Sequence, residues 1–438
     1  MKRKLVMALC GTLALAMAVP AFAKDHKING YYRVRFIMAD LSKAKDQDPD
    51  KLVDQRVRFK WTMGLNEYVS TVYYGEIDMQ YGDVAYGIGG KTRNDGGAIG
   101  GDTVNLETKN LYLNVKIPDT PVAARLGLQG FGDSWDFVFF AADMAGLKLS
   151  AKFDTTSVTA GWFKWQEGSF DEEDDVDLWA LKLGFAPADG FKLGVDGYYV
   201  NANAGSAGTS GIRLADSADL YYVGANASYK LPQVTLSGWF MYNGGTLKNI
   251  GSGGDDVDVA GWAASAKASF SVAGASIGLR GIYFSGDDDL ADDNYDSFYN
   301  PVPGEAFSFY SDGFIIMLAD VYGNTYYQNG YAMDNGPTAG NGLMAFTLTG
   351  KYTPPTMKKM YIKGAFGYFT TLEGEDNYGR EGDDLGTELA VRVGYKLADI
   401  VDVSVNGAYA WLGDYFTVKG GDDPDDSYEV YAMVNVGF

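Results

Sequence analysis

The sequence has very little cysteine and histidine, and little proline. Cys10 is the single cysteine in 438 residues, His26 is the single histidine, and there are 12 prolines. Because Cys10 lies in an N-terminal segment that we expect to be removed, the rest of the chain cannot form disulfides, cysteine-ligated metal sites or Cys-x-x-Cys-His haem attachments. Membrane-embedded hydrolases use histidine for proton transfer, and His26 precedes the first predicted strand. We therefore expect no enzymatic activity and no cofactor, although a pair of catalytic carboxylates stays open.

Long hydrophobic runs are also absent after residue 23. No stretch there approaches the roughly eighteen consecutive apolar residues that a transmembrane helix requires. At the start, three basic residues at 2–4 precede an apolar run over 5–19, and an Ala-x-Ala sequence ends at Ala23. This arrangement is typical of a cleaved secretory signal peptide, with an uncleaved anchor as the alternative. We expect a signal peptide over 1–23 and one domain over 24–438.

Glycine and aromatic residues are abundant, whereas the mean hydropathy is close to zero. The chain has 57 Gly, 31 Tyr and 24 Phe, and its mean hydropathy is -0.15. Apolar and polar residues alternate with a period of two along most of the chain, as they do at Tyr32, Arg33, Val34, Arg35 and Phe36. Such alternation predicts strands with one apolar face and one polar face.

About eighteen alternating runs occur, each about nine to fourteen residues long, which is enough for a tilted strand to cross a hydrocarbon layer. Their connectors are alternately short and long, and both ends of the domain lie on the short side. This pattern predicts an all-β fold, a transmembrane antiparallel up-and-down β-barrel of about 18 strands, with 16 or 20 strands or a soluble all-β protein as alternatives. The runs lie near 28–38, 54–65, 68–81, 109–117, 121–131, 145–153, 156–165, 177–186, 190–201, 219–230, 233–243, 257–270, 274–285, 343–353, 358–370, 385–398, 401–413 and 426–438.

The acidic clusters lie in the long connectors or at their edges. We interpret them as charged loops that are exposed to solvent. The alternative is that they bind divalent cations that bridge lipopolysaccharide phosphates. None of the clusters has the residue spacing of an EF-hand calcium loop. The connector 286–342 differs because it begins acidic and becomes aromatic, so it either folds into the lumen or adds a hairpin. The clusters lie at 171–175, 255–256, 287–289, 292–293, 383–384 and 422–426.

The last predicted strand resembles the sorting signal of Gram-negative outer-membrane proteins. Apolar residues occupy every second position from Tyr428 to a C-terminal Phe438. The resemblance implies that the barrel-insertion machinery of the outer membrane recognises this strand. It also implies contact with outer-membrane lipid and lipopolysaccharide.

A second segment is similar to a strand of the general porins. In residues 124–131, Arg125, Gly127 and Gln129 match the Arg-x-Gly-x-Gln pattern of that family, whereas Leu128 stands where those porins often have Arg. The following residues, 132–144, correspond to the constricting loop of those porins. The resemblance implies an outer-membrane porin, commonly a homotrimer, through which small hydrophilic solutes and ions diffuse passively. No nucleic-acid partner is implied.

The polar face of the alternating strands is expected to line the lumen. Five basic side chains there fall on two adjacent strands, where they would repel one another and would each cost about 2–4 kcal/mol on a lipid face. They resemble the basic side of a porin constriction, which sets charge preference at close range; alternatively they hydrate the wall or pair with carboxylates. The candidate lining residues are Arg33, Arg35, Arg56, Arg58, Lys60, Glu76, Asp78, Arg125, Gln129, Arg280 and Arg392.

A dedicated conduit is the remaining alternative. Such a barrel would export a polymer, or would house a partner protein such as a multihaem cytochrome. The chain itself has no haem motif, so a cytochrome would have to be a separate polypeptide.

Overall fold

The structure, a computed structural model, describes most of the chain. The predicted signal peptide lies outside the described residues, as do residues 171–173 of the first acidic cluster. None of the helices described is long and apolar enough to cross a membrane. The described ranges are 25–41, 48–82, 105–167, 174–203, 217–250, 254–289, 292–306, 312–318 and 330–438.

Nearly all of the regular structure in these ranges is β-strand. Besides the strands there are only short helices, among them α1 (Tyr331–Asn335) and α2 (Gly374–Tyr378). The strands are β1 (Asp25–Asp40), β2 (Asp50–Gly64), β3 (Val69–Gln80), β4 (Asn105–Lys116), β5 (Val122–Gly132), β6 (Ala141–Lys152), β7 (Thr156–Gln166), β8 (Val176–Ala188), β9 (Phe191–Ala202), β10 (Ser217–Lys230), β11 (Val234–Ile250), β12 (Asp255–Val272), β13 (Ala275–Phe284), β14 (Asn294–Tyr295), β15 (Leu343–Tyr352), β16 (Met360–Thr370), β17 (Asp384–Ala398), β18 (Val401–Leu412) and β19 (Ser427–Gly437).

All strands except β14 form one closed antiparallel barrel. Each strand pairs with the next, β13 pairs with β15 across the long connector, and β19 pairs with β1. The two-residue strand β14 adds only a short parallel pairing to β12. The prediction of eighteen barrel strands is therefore confirmed, and counts of 16 and 20 are excluded.

The barrel wall has an apolar outer face and a polar inner face. On the outer face, Phe36 and Val405 are 53% and 58% exposed, whereas Arg35 and Glu388 on the inner face are 2% and 0% exposed. Water penalises such a continuous apolar exterior, and a hydrocarbon layer does not. The outer face is therefore the surface expected of a barrel that spans a bilayer.

Both ends of the domain lie at the rim with the short turns. Asp25 at the start of β1 pairs with Gly64, next to the β2–β3 turn, and the amide of Gly437 bonds to the carbonyl of Ile400 in the β17–β18 turn. The strand ends that lead into the long connectors lie at the opposite rim. This segregation is the one expected of an up-and-down barrel entered and left from one side.

Described parts of two connectors lie inside the barrel. Residues 133–140 join β5 to β6, and within them Phe139 stacks on Tyr222 of β10 with ring centroids 3.7 Å apart. The β13–β15 connector contributes Phe298 and residues 314–318, which are buried. The two connectors touch each other, because the Asn300 side-chain amide donates to the carbonyls of Val138 and Phe139 at 2.9 and 3.0 Å.

The closed wall predicts that the protein is heat-modifiable. Each barrel strand is hydrogen-bonded on both sides, so detergent without heat should leave the barrel intact. Unboiled and boiled samples should therefore migrate differently on a detergent gel. A variant lacking residues 427–438 cannot join β18 to β1 and should migrate identically in both states. Identical migration of the complete protein would contradict the closed barrel.

Phe438 completes the seam between β19 and β1. Its backbone N–H and carbonyl both bond to Gly30, at 3.0 and 2.8 Å. Its ring covers this glycine, since a Cβ added at Gly30 would lie 2.9 Å from the ring and 2.0 Å from the carbonyl oxygen of Arg58. Gly30 thus leaves the space that the aromatic ring and the neighbouring strand occupy.

We expect Phe438→Asp to lower the yield of folded barrel, because a charge replaces the ring at the seam. The amount of heat-modifiable protein in the membrane fraction measures this. Val272→Asp is a matched control, since Val272 is also exposed and lies at the same rim, but away from the seam. Equal yields of the two variants would show that the seam does not need Phe438.

Candidate functional site

The arginines of β1 and β2 are paired with carboxylates on the inner wall. Arg35 bonds to Asp54 through two nitrogens, with its Nε 3.0 Å from Oδ1. Arg56 forms a second two-nitrogen contact with Asp78, at 2.6 and 2.8 Å. Two-nitrogen arginine–carboxylate contacts fix geometry and neutralise both charges.

Arg33, Arg58 and Lys60 complete the basic cluster of β1 and β2, and together they are less fully compensated by carboxylates. Arg58 bonds to Glu76, but Arg33 lies opposite Arg56 in the register and is 4.0 Å from the Asp54 carboxylate. Lys60 has no ion pair within the described residues. The cluster is therefore a network of alternating charge with two less compensated cations, and not a uniformly positive patch.

Arg125 and Gln129 lie on β5 close to backbone and aromatic groups. The Arg125 guanidinium donates to Asn114 at 2.8 Å and lies 4.2 Å above the Tyr112 ring. Gln129 is fully buried and donates to the carbonyl of Gly146 at 3.1 Å. Between them Gly127 has φ +118, and a Cβ there would lie 2.4 Å from the carbonyl oxygen of Leu111. Glycine is thus required at this position of the motif.

Arg280 joins the two connectors that enter the barrel. It donates to Asp136 of the 133–140 segment at 2.5 Å and to Asp312 of the 312–318 segment at 2.5 Å. Asp136 also accepts from the indole N–H of Trp239 at 2.7 Å. One wall arginine therefore fixes two inward segments against the same part of the wall.

Asp133 holds the 133–140 segment in its compact conformation. Its carboxylate accepts four backbone N–H bonds, from Trp135, Phe137, Phe139 and Phe140, at 2.6 to 3.0 Å. Burial raises the pKa of Asp133 to about 6, while the amide donors act in the opposite direction. The ionised form is the one that can accept all four bonds.

Glu388 holds the 312–318 segment in the same way. Its carboxylate accepts from the backbone N–H groups of Ile315 and Met317, both at 2.7 Å, and of Ile316 at 3.2 Å. Because Glu388 belongs to β17, this contact fixes the segment against the wall. The segment is thus anchored at Glu388 and, through Asp312, at Arg280.

A cavity of about 370 Å³ lies between the 312–318 segment and the wall. Most of its charged side chains are cations, and its carboxylate is Asp312. Arg392 lies in this cavity and is 3.8 Å from Asp402. The cationic lining residues are Lys267, Lys351, Lys363 and Arg392.

Several residues of this site were missed by sequence reasoning. Asp54 could have been found, because it shares the inward parity of Arg56 and Arg58 on β2. Asp133, Asp136 and Asp312 could not, because they lie in connectors whose path the alternation does not predict. No group of three or more His, Cys, Asp or Glu that could hold a metal occurs in the described part of the chain.

The barrel fold is shared with solved structures. The chain is similar to OccK8 (OprE) of Pseudomonas aeruginosa, with 14% identity and a TM-score of 0.57 over 95% of this chain and 99% of that chain. It is similar to OccAB4 of Acinetobacter baumannii, with 11% identity and a TM-score of 0.58 over 96% and 99%. It is also similar to the outer membrane protein OpdK of P. aeruginosa, with 10% identity and a TM-score of 0.54 over 95% of this chain and 99% of that chain. OpdK has also been solved with vanillate.

These likenesses establish the fold. At such low identities they do not transfer individual residues. No protein family model and no curated protein matches the sequence.

We expect Asp133→Asn to loosen the 133–140 segment. The amide oxygen of Asn cannot replace both carboxylate oxygens, and each buried N–H left without an acceptor costs about 1–3 kcal/mol. Single-channel recordings should show greater current noise or a changed conductance. Asp119→Asn, in the exposed β4–β5 turn, is the control and should behave as wild type. Unchanged recordings for Asp133→Asn would mean that this carboxylate does not hold the segment.

Proposed function

We propose that this protein is an outer-membrane porin through which small hydrophilic solutes and ions diffuse passively. The observation that carries the proposal is the closed eighteen-stranded barrel, apolar outside and charged inside. A bilayer suits this exterior, and a polar interior suits hydrated solutes. Similarity of fold to a solved outer membrane protein supports the location.

The candidate lining residues support this function to different degrees. The alternating network on β1 to β3 offers Arg33, Lys60 and the partly exposed Arg58 to solutes. The cavity near Arg392 offers further cations. Arg125, Gln129 and Arg280 are more closely engaged with the wall and the inward segments, and we propose that they shape the lumen.

Small anions are the solutes that the cavity fits best. Lys267, Lys351, Lys363 and Arg392 face a volume of about 370 Å³, which lies within the range of small-molecule sites. OpdK, which shares the fold, was solved with vanillate, a small aromatic carboxylate. Lysine and arginine recognise carboxylates through charge-assisted hydrogen bonds. We therefore include small carboxylates among the proposed solutes.

A conduit that houses a partner protein is less well supported. Described residues of the chain's own connectors, including Phe139, Phe298 and Ile316, are buried inside the barrel. A folded partner could not occupy the same space. An enzymatic role is also not supported, since His26 contacts the indole of Trp61 at the rim with the short turns.

The proposed assembly of the porin rests on the resemblance of the sequence to outer-membrane proteins and general porins. We propose that the barrel-insertion machinery recognises the strand from Tyr428 to Phe438. The exterior contacts lipid and lipopolysaccharide, and the barrel assembles as a homotrimer. Residues 1–23 direct export as a signal peptide, and 24–438 form the exported domain.

Planar-bilayer recording with a KCl gradient tests the proposed function. Purified protein should form steady channels, and failure to conduct would refute the proposal. Replacing Arg35, Arg56 and Arg58 with Gln removes the cations that bond directly to Asp54, Glu76 and Asp78. The permeability ratio of K⁺ to Cl⁻ should then rise about fivefold, the effect of about 1 kcal/mol between unit charges about 4 Å apart in water.

The matched control removes the opposite charges of the same network. Asp54→Asn, Glu76→Gln and Asp78→Asn together should shift the reversal potential towards anion preference. Both triple variants must first be shown to be heat-modifiable, because unpaired buried charges destabilise a fold. If both variants are folded and neither moves the reversal potential, this network does not face the conducting path.

A further inference from the structure

The carboxylate of Asp312 lies between two cations of the wall. Lys267 of β12 and Arg280 of β13 are directly opposite in the register. One carboxylate oxygen accepts from Lys267, and the other accepts from Arg280 at 2.5 Å. The Asp312 side chain is 1% exposed. Each oxygen of the carboxylate therefore has its own cationic partner, as it would for a bound anion.

This carboxylate does not belong to the wall. It is carried by the 312–318 segment, which Glu388 holds independently through the backbone N–H groups of Ile315, Ile316 and Met317. The Asp312 side chain takes no part in that contact. The segment can therefore keep its place when the charge of Asp312 is removed.

The cations continue along the wall beyond this pair. Lys351 of β15 lies opposite Lys363 of β16, and Lys363 lies opposite Arg392 of β17. Lys351 and Lys363 have no ion pair within the described ranges. Like charges opposite each other destabilise a sheet, so an anion in the adjoining cavity would be favoured.

We propose that the position between Lys267 and Arg280 is an anion site that Asp312 occupies from within the chain. A permeating carboxylate, attracted by Lys351, Lys363 and Arg392, competes with Asp312 for Lys267. The internal carboxylate thereby weakens retention of the solute, because conduction requires binding that is favourable enough to enter and weak enough to leave. This inference rests on the proposed porin function.

Asp312→Asn tests the inference through block by vanillate, the anion named for a protein of the same fold. The variant keeps the shape of the side chain and removes its charge. The vanillate concentration that halves the KCl current should fall about tenfold, which corresponds to about 1.4 kcal/mol. Reversal potential should shift towards anion preference. Asp312→Glu keeps the charge and should restore most of the wild-type behaviour.

Asp402→Asn is the matched control. It removes the same charge near Arg392, but from a wall residue that leaves the Lys267–Arg280 position filled. Its effect on vanillate block should be clearly smaller. Equal effects of the two variants would overturn the inference, because the loss of either carboxylate would then strengthen vanillate block to the same extent.

The remaining outcomes also test the inference. If the wild-type protein does not conduct, the proposed function fails, and the inference fails with it. If Asp312→Asn raises K⁺ and Cl⁻ conductance alike without affecting vanillate block, Asp312 is only a tether. If Asp312→Asn gives no heat-modifiable barrel, Lys267→Gln takes its place. It should raise the half-blocking vanillate concentration, and no change would refute the site.

Discussion

Closure of the sheet is the constraint on which the rest of this structure depends. An open sheet has unpaired N–H and C=O groups at its edges, which a hydrocarbon layer cannot satisfy. The pairing of β1 with β19 removes both edges. Once the wall is closed, the alternation of each strand separates an apolar exterior from a charged interior, and connectors of the long side have a lumen to enter.

The charged interior is the second consequence of closure. Along β1 to β3, arginines and carboxylates alternate across the strands, so most positive charge is compensated inside the wall itself. Along β12 to β17, the compensation comes in part from Asp312, which is carried by an inward connector. The compensating carboxylates of β1 to β3 therefore belong to the wall itself, whereas one compensating carboxylate of β12 to β17 belongs to a connector.

Much of the fold could be predicted because strand alternation is a local property. A period of two within nine to fourteen residues places each strand and assigns its faces without knowledge of any neighbour. Thus Arg33 and Arg35 share one parity of β1, opposite to that of Val34 and Phe36. The eighteen predicted runs match the barrel strands, with ends that differ by up to seven residues, since turn contacts and not alternation decide where a strand stops.

The sequence by itself determined the strands, their faces and the closed meander. Tertiary structure alone decided what the inward charges do. Arg280 has the parity of a lining residue, but it bonds to Asp136, which is 144 residues away in the chain. Glu388 anchors residues about 70 positions before it. No periodic pattern connects such distant groups, because their contact depends on the path of connectors through the closed barrel.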